Sequence, residues 1–402
     1  MAYVLALNSG SSSLKFGLYR VRSSETERLI AGEAESIGEG VGDFHVEDNT
    51  GRPLLRESSP LPSQEAAIAR IAQLLTQMQM PPPQTIGHRI VHGGPKLRQH
   101  CVISASVLAE LDAAAVFAPL HMPVALSVIR YCDEHFPALP QVACFDTSFH
   151  ADMPDIASVL PLPYALRSEG IQRYGFHGLS CESIVAQLSD ALPDRLVIAH
   201  LGNGASVTAV LHGKSIDTSM GMTPTGGIIM GTRSGDLDPG ILVYLARQKQ
   251  LDATMLERLV DQRSGLLGIS GVSADLRALR EAAPSNAAAR LAIDMFCYSA
   301  AKQIAAMSAA LGGIDLLVFT GGIGENDAAV RAHICQRLSS IGVHLDEARN
   351  FCVSDYITES TSSCRVRVLP SREDAQIARH AWALYRRVQP INARAALKKG
   401  LT

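Results

Sequence analysis

The chain has 402 residues, too many for one typical hydrophobic core, and its length favours two domains of about 150 to 200 residues. It is 47% hydrophobic, 19% charged and 5% aromatic, the composition of a globular protein. Its 36 basic residues against 39 acidic ones provide no field to recruit nucleic acid or an anionic membrane.

From the N-terminus, strands are predicted at 4–7 and 14–19. A helix follows at 63–80, where Ala67, Ile68, Ile71, Leu74, Leu75 and Met78 recur at helical spacing behind Ser63, with Glu65 in the first turn. Pro81, Pro82 and Pro83 end it. A strand at 86–91, helices at 105–115 and 121–135 and a strand at 142–145 come next. Five prolines between 137 and 163 mark a domain crossing near residue 150. Beyond it the pattern gives a helix at 178–191, strands at 196–201 and 206–211, and helices at 239–248 and 287–311. A strand at 316–320, a helix at 328–341, a strand at 365–369 and a helix at 372–385 complete it. Strands alternating with helices of this length predict an α/β protein with covered sheets. The expected domains are 1–149 plus 376–402, the final helix returning to the first domain, and 150–375.

The apolar stretches around 113–129 and 300–311 carry His121 and Lys302, and neither reads as a membrane span. No basic targeting start precedes the first strand. The eight cysteines lack metal spacing and read as reduced thiols of a cytoplasmic protein.

A glycine-and-hydroxyl loop occurs twice between apolar strands, as Leu7-Asn8-Ser9-Gly10-Ser11-Ser12-Ser13 and as Leu201-Gly202-Asn203-Gly204-Ala205-Ser206. Tight turns of this kind expose backbone N–H groups and small hydroxyls to phosphate oxygens, and two copies suggest two facing phosphate loops. The polar run from Asp217 to Gly240 is too glycine-rich for core, and Pro239 places Asp236 and Asp238 at the start of the next helix. Thr320-Gly321-Gly322-Ile323-Gly324-Glu325-Asn326-Asp327 follows a strand and precedes a helix, which suits an anion or nucleotide and equally suits a plain turn or cap.

Arg89 at a strand end and Arg233 in the glycine loop each offer a fork for carboxylate or phosphoryl oxygens; a surface arginine or a structural ion pair is the alternative for either. His121, His177 and His200 are flanked by turn formers, without zinc spacing, and suit hydrogen bonding better than metal ligation; a satisfied structural donor is the alternative for each.

Taken in order, Asn8 to Lys15, His88-Arg89, Phe145-Asp146-Thr147-Ser148-Phe149-His150 and Tyr174-Gly175-Phe176-His177-Gly178 resemble the acetokinase family. So do His200-Leu201-Gly202-Asn203-Gly204, Gly231 to Asp236, Ser270-Gly271 with Asp275 and Arg277, and Gly321 to Asn326. The family includes acetate, propionate and butyrate kinases. The resemblance implies two ribonuclease-H-like domains flanking a cleft, as in the sugar kinase, heat-shock protein and actin superfamily. It also implies a homodimer, Mg²⁺ with Mn²⁺ as a substitute, and reversible transfer between ATP plus acetate and ADP plus acetyl phosphate.

By the same resemblance Arg89, Asp146, His177 and Arg233 are catalytic, Asn8 and Glu373 hold the metal with help from Asp146, and Val91, Leu120, Phe176 and Pro224 form an acyl pocket. Lys15, His200, Leu201, Gly202, Asn203, Gly204, Asp275, Leu276, Arg277, Gly322, Ile323, Gly324, Glu325 and Asn326 line the nucleotide. The chain departs from the family pattern at Met122, Thr225-Gly226, Leu276, the segment Gly178 to Cys181, and Ser371-Arg372. A short-chain acyl kinase other than one for acetate, and a nucleotide-binding structural protein, are the competing readings.

Overall fold

The computed structural model describes residues 1–10, 12–22, 25–119 and 121–399, with side chains described as far as Arg387. The chain packs as two units. Met1–Ser148 joined by the chain from Arg372 forms unit 1, and Phe149–Ser371 forms unit 2.

Unit 1 carries β1 (Ala2–Ser9), β2 (Leu14–Val21), β3 (Thr26–Glu35), β4 (Val41–Asp48), β5 (Pro53–Pro60), β6 (Thr85–Ile90), β7 (Cys101–Val102) and β8 (Gln141–Phe145). Their order is β5-β4-β3-β2-β1-β6-β8-β7. β1 to β5 form an antiparallel meander, while β6 runs parallel to β1 and β8 parallel to β6. The parallel centre is buried along nearly its whole length, with five of the six residues of β6 and all five of β8 buried, so both faces need cover.

Successive residues of β6 show how the cover is supplied. Ile86 joins the core beneath the helix Gln64–Gln77, which buries Ala67, Ile68, Ile71, Leu74 and Leu75 and is capped by Ser63 Oγ accepting from Ala66 N at 3.3 Å. Gly87 points the other way, toward the helix Glu373–Lys399. A Cβ on Gly87 would lie 2.6 Å from Ile377 Cγ2, so the absent side chain is what lets this helix lie on the strand.

Unit 2 carries β9 (Arg195–Leu201), β10 (Ala205–Leu211), β11 (Lys214–Thr218), β12 (Leu316–Thr320) and β13 (Arg365–Val368), in the order β11-β10-β9-β12-β13. β10 is antiparallel to both neighbours, β12 is parallel to β9 and β13 to β12. Cys181, Ile184 and Leu188 of the helix Gly178–Leu188 pack with Leu196, Ile198, Val210, Leu316 and Val318. The helix Ala287–Leu311 packs on β9 and β10.

The order of unit 2 repeats β3-β2-β1-β6-β8 of unit 1 with the same directions. The two sheets are therefore the pair of ribonuclease-H-like α/β domains that the resemblance implies. No described helix is long and apolar enough to cross a membrane.

The predicted pattern misses β3, β4 and β5. Their sequences mix Glu, Arg and Asp with few apolar residues, because they extend the sheet to an edge and pair charge across strands, as Arg28 with Glu47 at 2.8 Å. The predicted helix 328–341 stops at Gln336, and residues 321–326, read as a loop, form a short helix Gly321–Asn326. Gly321 makes this possible with a left-handed φ of 77°, where a Cβ would strike the Leu201 carbonyl oxygen at 2.7 Å.

Candidate active site

Three parallel strands of unit 1 end in polar residues. Asn8 lies near the end of β1, Arg89 near the end of β6, and Asp146 directly follows β8. The pairs Leu7 with His88 and Ile90 with Phe145 set these ends level, at the carboxyl edge where α/β sheets bind ligands. Arg89 Nε and Nη2 donate to Asp146 Oδ2 at 2.9 and 2.5 Å, and Nη1 donates to Asn8 Oδ1 at 3.1 Å. Asn8 Nδ2 reaches Glu373 Oε2 at 3.5 Å. Burial opposes the Arg89 charge, but the carboxylates of Asp146 and Glu373 outweigh it and raise its pKa.

Asp374, beside Glu373 in the first turn of the last helix, has its carboxyl pushed up to about 6 by burial and by the Glu373 charge, against the pull of Lys15, Asn8 and Arg89. Carboxylates this crowded gain from a hard cation, and the oxygens of Asn8, Asp146 and Glu373 are a donor set of the right chemistry for Mg²⁺. Lys15 is the β2 partner of Asn8; its exposed amine pairs with Glu33 at 3.8 Å.

In unit 2 the candidate residues gather around the β9–β10 turn. His177 caps the helix Gly178–Leu188 in a left-handed conformation (φ 58°), which is uncommon for a non-glycine residue. Its ring stacks on His200 with centroids 4.2 Å apart, and its Nδ1 lies 3.0 Å from Ser206 Oγ. A Cβ on Gly204 would sit 3.3 Å from His177 Nε2 and 3.4 Å from Arg233 Nη1, so both side chains converge on the glycine turn.

Just upstream, buried His150 holds the Phe176 carbonyl through Nε2 at 3.0 Å and meets Ser215 Oγ through Nδ1 at 2.8 Å. Burial lowers its pKa to about 4. Arg233 is aimed by a turn in which Met230 N donates to the Arg233 carbonyl at 3.2 Å and Arg233 Nη1 donates to the Pro224 carbonyl at 3.1 Å. Asp238 caps the next helix as predicted, whereas Asp236 instead closes the glycine loop by accepting from Gly227 N at 2.7 Å.

The nucleotide candidates gather on the same unit. Asn203 and Gly231 are in contact, since a Cβ on Gly231 would meet Asn203 Oδ1 at 2.3 Å and the Ala274 carbonyl at 3.3 Å. The Asp275 to Arg277 segment thus lies beside the glycine loop, with Asp275 capping a helix and pairing with Arg277 at 2.7 Å. Leu201 and Leu276 are both buried. Gly322 is exposed and has nothing within 4 Å of a Cβ position, Ile323 is half-buried, and Asn326 Nδ2 holds the Gly322 carbonyl at 2.9 Å. The Glu325 carboxylate turns back to accept from Gly321 N at 3.0 Å and Ser371 N at 2.9 Å.

Of the acyl-pocket residues, Val91 is buried in unit 1, Phe176 is buried in unit 2 with Pro224 half-buried, and Leu120 lies outside the described residues. Met122 is fully buried.

Sequence reading missed Arg331, whose buried guanidinium donates to the carbonyls of Gly324 and Glu325 at 2.9 Å each and to Asn350 Oδ1 and O at 2.8 Å each. It closes the end of the Gly321–Asn326 helix. Its only sequence signal is a charged residue on the apolar stripe of Val330 and Ile334, a stripe that the fold buries.

The acetokinase family model matches residues 3–379. An acetate kinase of Dichelobacter nodosus is 42% identical over 387 residues, covering 94% of this chain and 98% of that protein. Among solved structures, a propionate kinase of Francisella tularensis superposes with a TM-score of 0.89 at 36% identity, covering 96% of this chain and 100% of that one. An acetate kinase of Porphyromonas gingivalis superposes with a TM-score of 0.84 at 34% identity and the same coverage.

Proposed function

The chain belongs to the acetokinase family, and from that premise we propose that it catalyses reversible transfer of the ATP γ-phosphoryl group to acetate, giving ADP and acetyl phosphate. The observation that carries this reading is the convergence of His177 Nε2 and Arg233 Nη1 on Gly204. Two donors and a bare backbone turn suit the equatorial oxygens of a phosphoryl group in flight.

Acetate is already a nucleophile at neutral pH, so no general base is required. That agrees with Asp146 being held in a charge pair by Arg89 rather than poised to take a proton. The difficulty is anion repulsion. Arg89 offsets it at the carboxylate and Arg233 at the phosphoryl oxygens, while His177 hydrogen-bonds the group rather than accepting it covalently. Asn8 and Glu373, with Asp146, hold Mg²⁺, which when bound neutralises phosphate charge. Gly202 to Gly204 and Gly322 to Asn326 bind nucleotide with backbone groups, and Asp275 to Arg277 adjoin adenosine.

A hydroxamate assay with ATP, Mg²⁺ and acetate, propionate or butyrate tests the reading. Acetate is the expected best acceptor. A preference for propionate would move the assignment to that acid, and no acyl phosphate from any of the three would overturn it. One methylene gives about 1 to 3 kcal/mol of discrimination, so the ratio is expected between about 10- and 200-fold.

The enzyme acts as a homodimer through unit 2. The helix Pro239–Gln248 buries none of its residues while Ile241, Val243 and Tyr244 are exposed, and Leu291, Met295 and Tyr298 form an exposed stripe on the helix Ala287–Leu311. Sedimentation of Ile241→Asp/Tyr244→Asp is expected to give monomer from dimer; a monomeric unsubstituted protein would end this assignment. The eight cysteines are all free thiols, as suits a reducing cytoplasm.

A further inference from the structure

We propose that Ser206 is a positioning residue that fixes the tautomer of His177, so that Nε2 carries the proton and serves as a hydrogen-bond donor. The inference rests on the proposed kinase reading for its consequence but not for its geometry.

Ser206 lies on β10 directly opposite His200 on β9, so both side chains leave the same face of the hairpin next to the glycine turn. The His177 ring lies against this cross-strand pair, stacked on His200 and with Nδ1 at 3.0 Å from Ser206 Oγ. Ser206 is 1% exposed, which leaves no solvent to take its hydroxyl proton.

Two proton arrangements fit that contact. If His177 Nδ1–H donated to Ser206 Oγ, the serine would keep a buried O–H to be placed elsewhere, at a cost of about 1–3 kcal/mol for an unmet donor. If Ser206 O–H donates to an unprotonated Nδ1, its only donor is satisfied. The neutral ring then carries its proton on Nε2. Satisfying the buried hydroxyl therefore selects the Nε2–H form.

The neighbouring histidines repeat the device. His150 uses Nε2–H to hold the Phe176 carbonyl, so its Nδ1 accepts from Ser215 O–H at 2.8 Å. His200 Nδ1 meets Ser180 Oγ at 2.8 Å, and Ser180 Oγ continues to Ser371 Oγ at 3.0 Å. Three histidines of one unit each present Nδ1 to a serine hydroxyl. For His177 the consequence reaches the chemistry, because Nε2 faces the Gly204 turn beside Arg233 Nη1. A neutral Nε2–H there donates to phosphoryl oxygen without adding a titrating charge, whereas the other tautomer would present a lone pair to an anion.

The test is selective ¹⁵N labelling of histidine in the full-length protein, with His177 assigned by comparison with His177→Gln, together with kinetics of Ser206→Ala and Ser206→Thr. The Nε2–H tautomer is expected in the unsubstituted protein. Ser206→Ala, which removes the hydroxyl that selects the tautomer, is expected to let the ring relax toward the tautomer mixture of a free neutral imidazole and to lower kcat about 10- to 100-fold at nearly constant KM for ATP, and Ser206→Thr, which keeps the hydroxyl, to restore both. An Nδ1–H ring in the unsubstituted protein, or an unchanged tautomer in Ser206→Ala, overturns the proposal. A tautomer that shifts while kcat stays would uphold Ser206 as the residue that sets it and would count against the role of His177 in transfer.

Discussion

The two units share a five-strand order and a hairpin turn, yet they equip these in different ways. Unit 1 ends its parallel strands in a charged network, with Arg89 joined to Asp146 and Asn8, and Asn8 to Glu373. Unit 2 ends its strands in glycine turns, stacked histidines and an arginine aimed through backbone carbonyls. In unit 1, therefore, the functional groups hold one another, and stability and chemistry are tied. In unit 2 the glycine loop and serine hydroxyls hold the functional groups, so chemistry can be lost with the fold intact.

Substitution of the two arginines probes this contrast most strongly. Arg233→Ala is expected to lower kcat by about 10³-fold or more, with a smaller change in KM for ATP and a nearly constant melting temperature. Arg89→Ala is expected to cost comparable activity and in addition about 3–5 kcal/mol of stability, because it leaves the buried Asp146 carboxylate without its charge partner. Paired kcat and denaturation measurements would break the comparison if both variants proved equally stable, and Arg233→Ala with normal turnover would remove Arg233 from the chemistry.

Arg331 marks the place where unit 2 does tie stability to its site. Arg331→Met leaves four buried acceptors without their donor, so a loss of about 3 kcal/mol or more is expected, and Arg331→Lys, with three donors, should recover only part. Nucleotide KM is expected to rise with kcat less affected, since the short helix that the guanidinium closes carries Gly322 to Asn326.

Acid should strike both units alike. His88 in unit 1 and His150 in unit 2 each have their pKa lowered by burial to about 4, below the ordinary value. Between about pH 6.5 and 4 the unfolded chain binds protons that the folded one refuses, so stability is fully present above 6.5 and falls as pH drops to 4. Each histidine contributes on the order of 3 kcal/mol to that slope. Urea unfolding at pH 7 and pH 5 should show the fall, and a flatter slope is expected for His88→Gln, which forgoes the titrating group.

The finest comparison sets one hairpin turn against the other. In unit 2 a methyl at Gly204 meets His177 and Arg233, whereas in unit 1 a methyl at Gly10 meets Ser13 Oγ at 2.8 Å. Gly204→Ala is expected to lower kcat about tenfold by displacing both donors, and Gly10→Ala to act chiefly on local stability. Equal kinetic effects would show that the two turns do the same work.

Much of this was legible beforehand. Core strands such as β8 and β12 each hold an apolar run, Val142 to Phe145 and Leu316 to Phe319, and the helix Gln64–Gln77 announces itself through Ser63 and its periodic leucines and isoleucines. The candidate site was legible as motifs, since glycine turns after strands leave an imprint of composition. Strands β3 to β5 were not, because the charges that interrupt them read as loop, although β3 and β4 bury Ile30, Ala34, Phe44 and Val46 in the core. Nor was the short helix at Gly321, which depends on a left-handed glycine and on Glu325 folding back to cap it.

The sequence by itself determined the two α/β domains, the glycine turns and the residue types of the site, because strand and helix periodicity and turn chemistry are local. Only the tertiary structure decided which partners those residues keep. That Arg89 binds Asp146, that Arg331 holds Asn350, and that Ser206 meets His177 Nδ1 are contacts between distant segments. They follow from strand register and helix packing, which no local window of sequence contains.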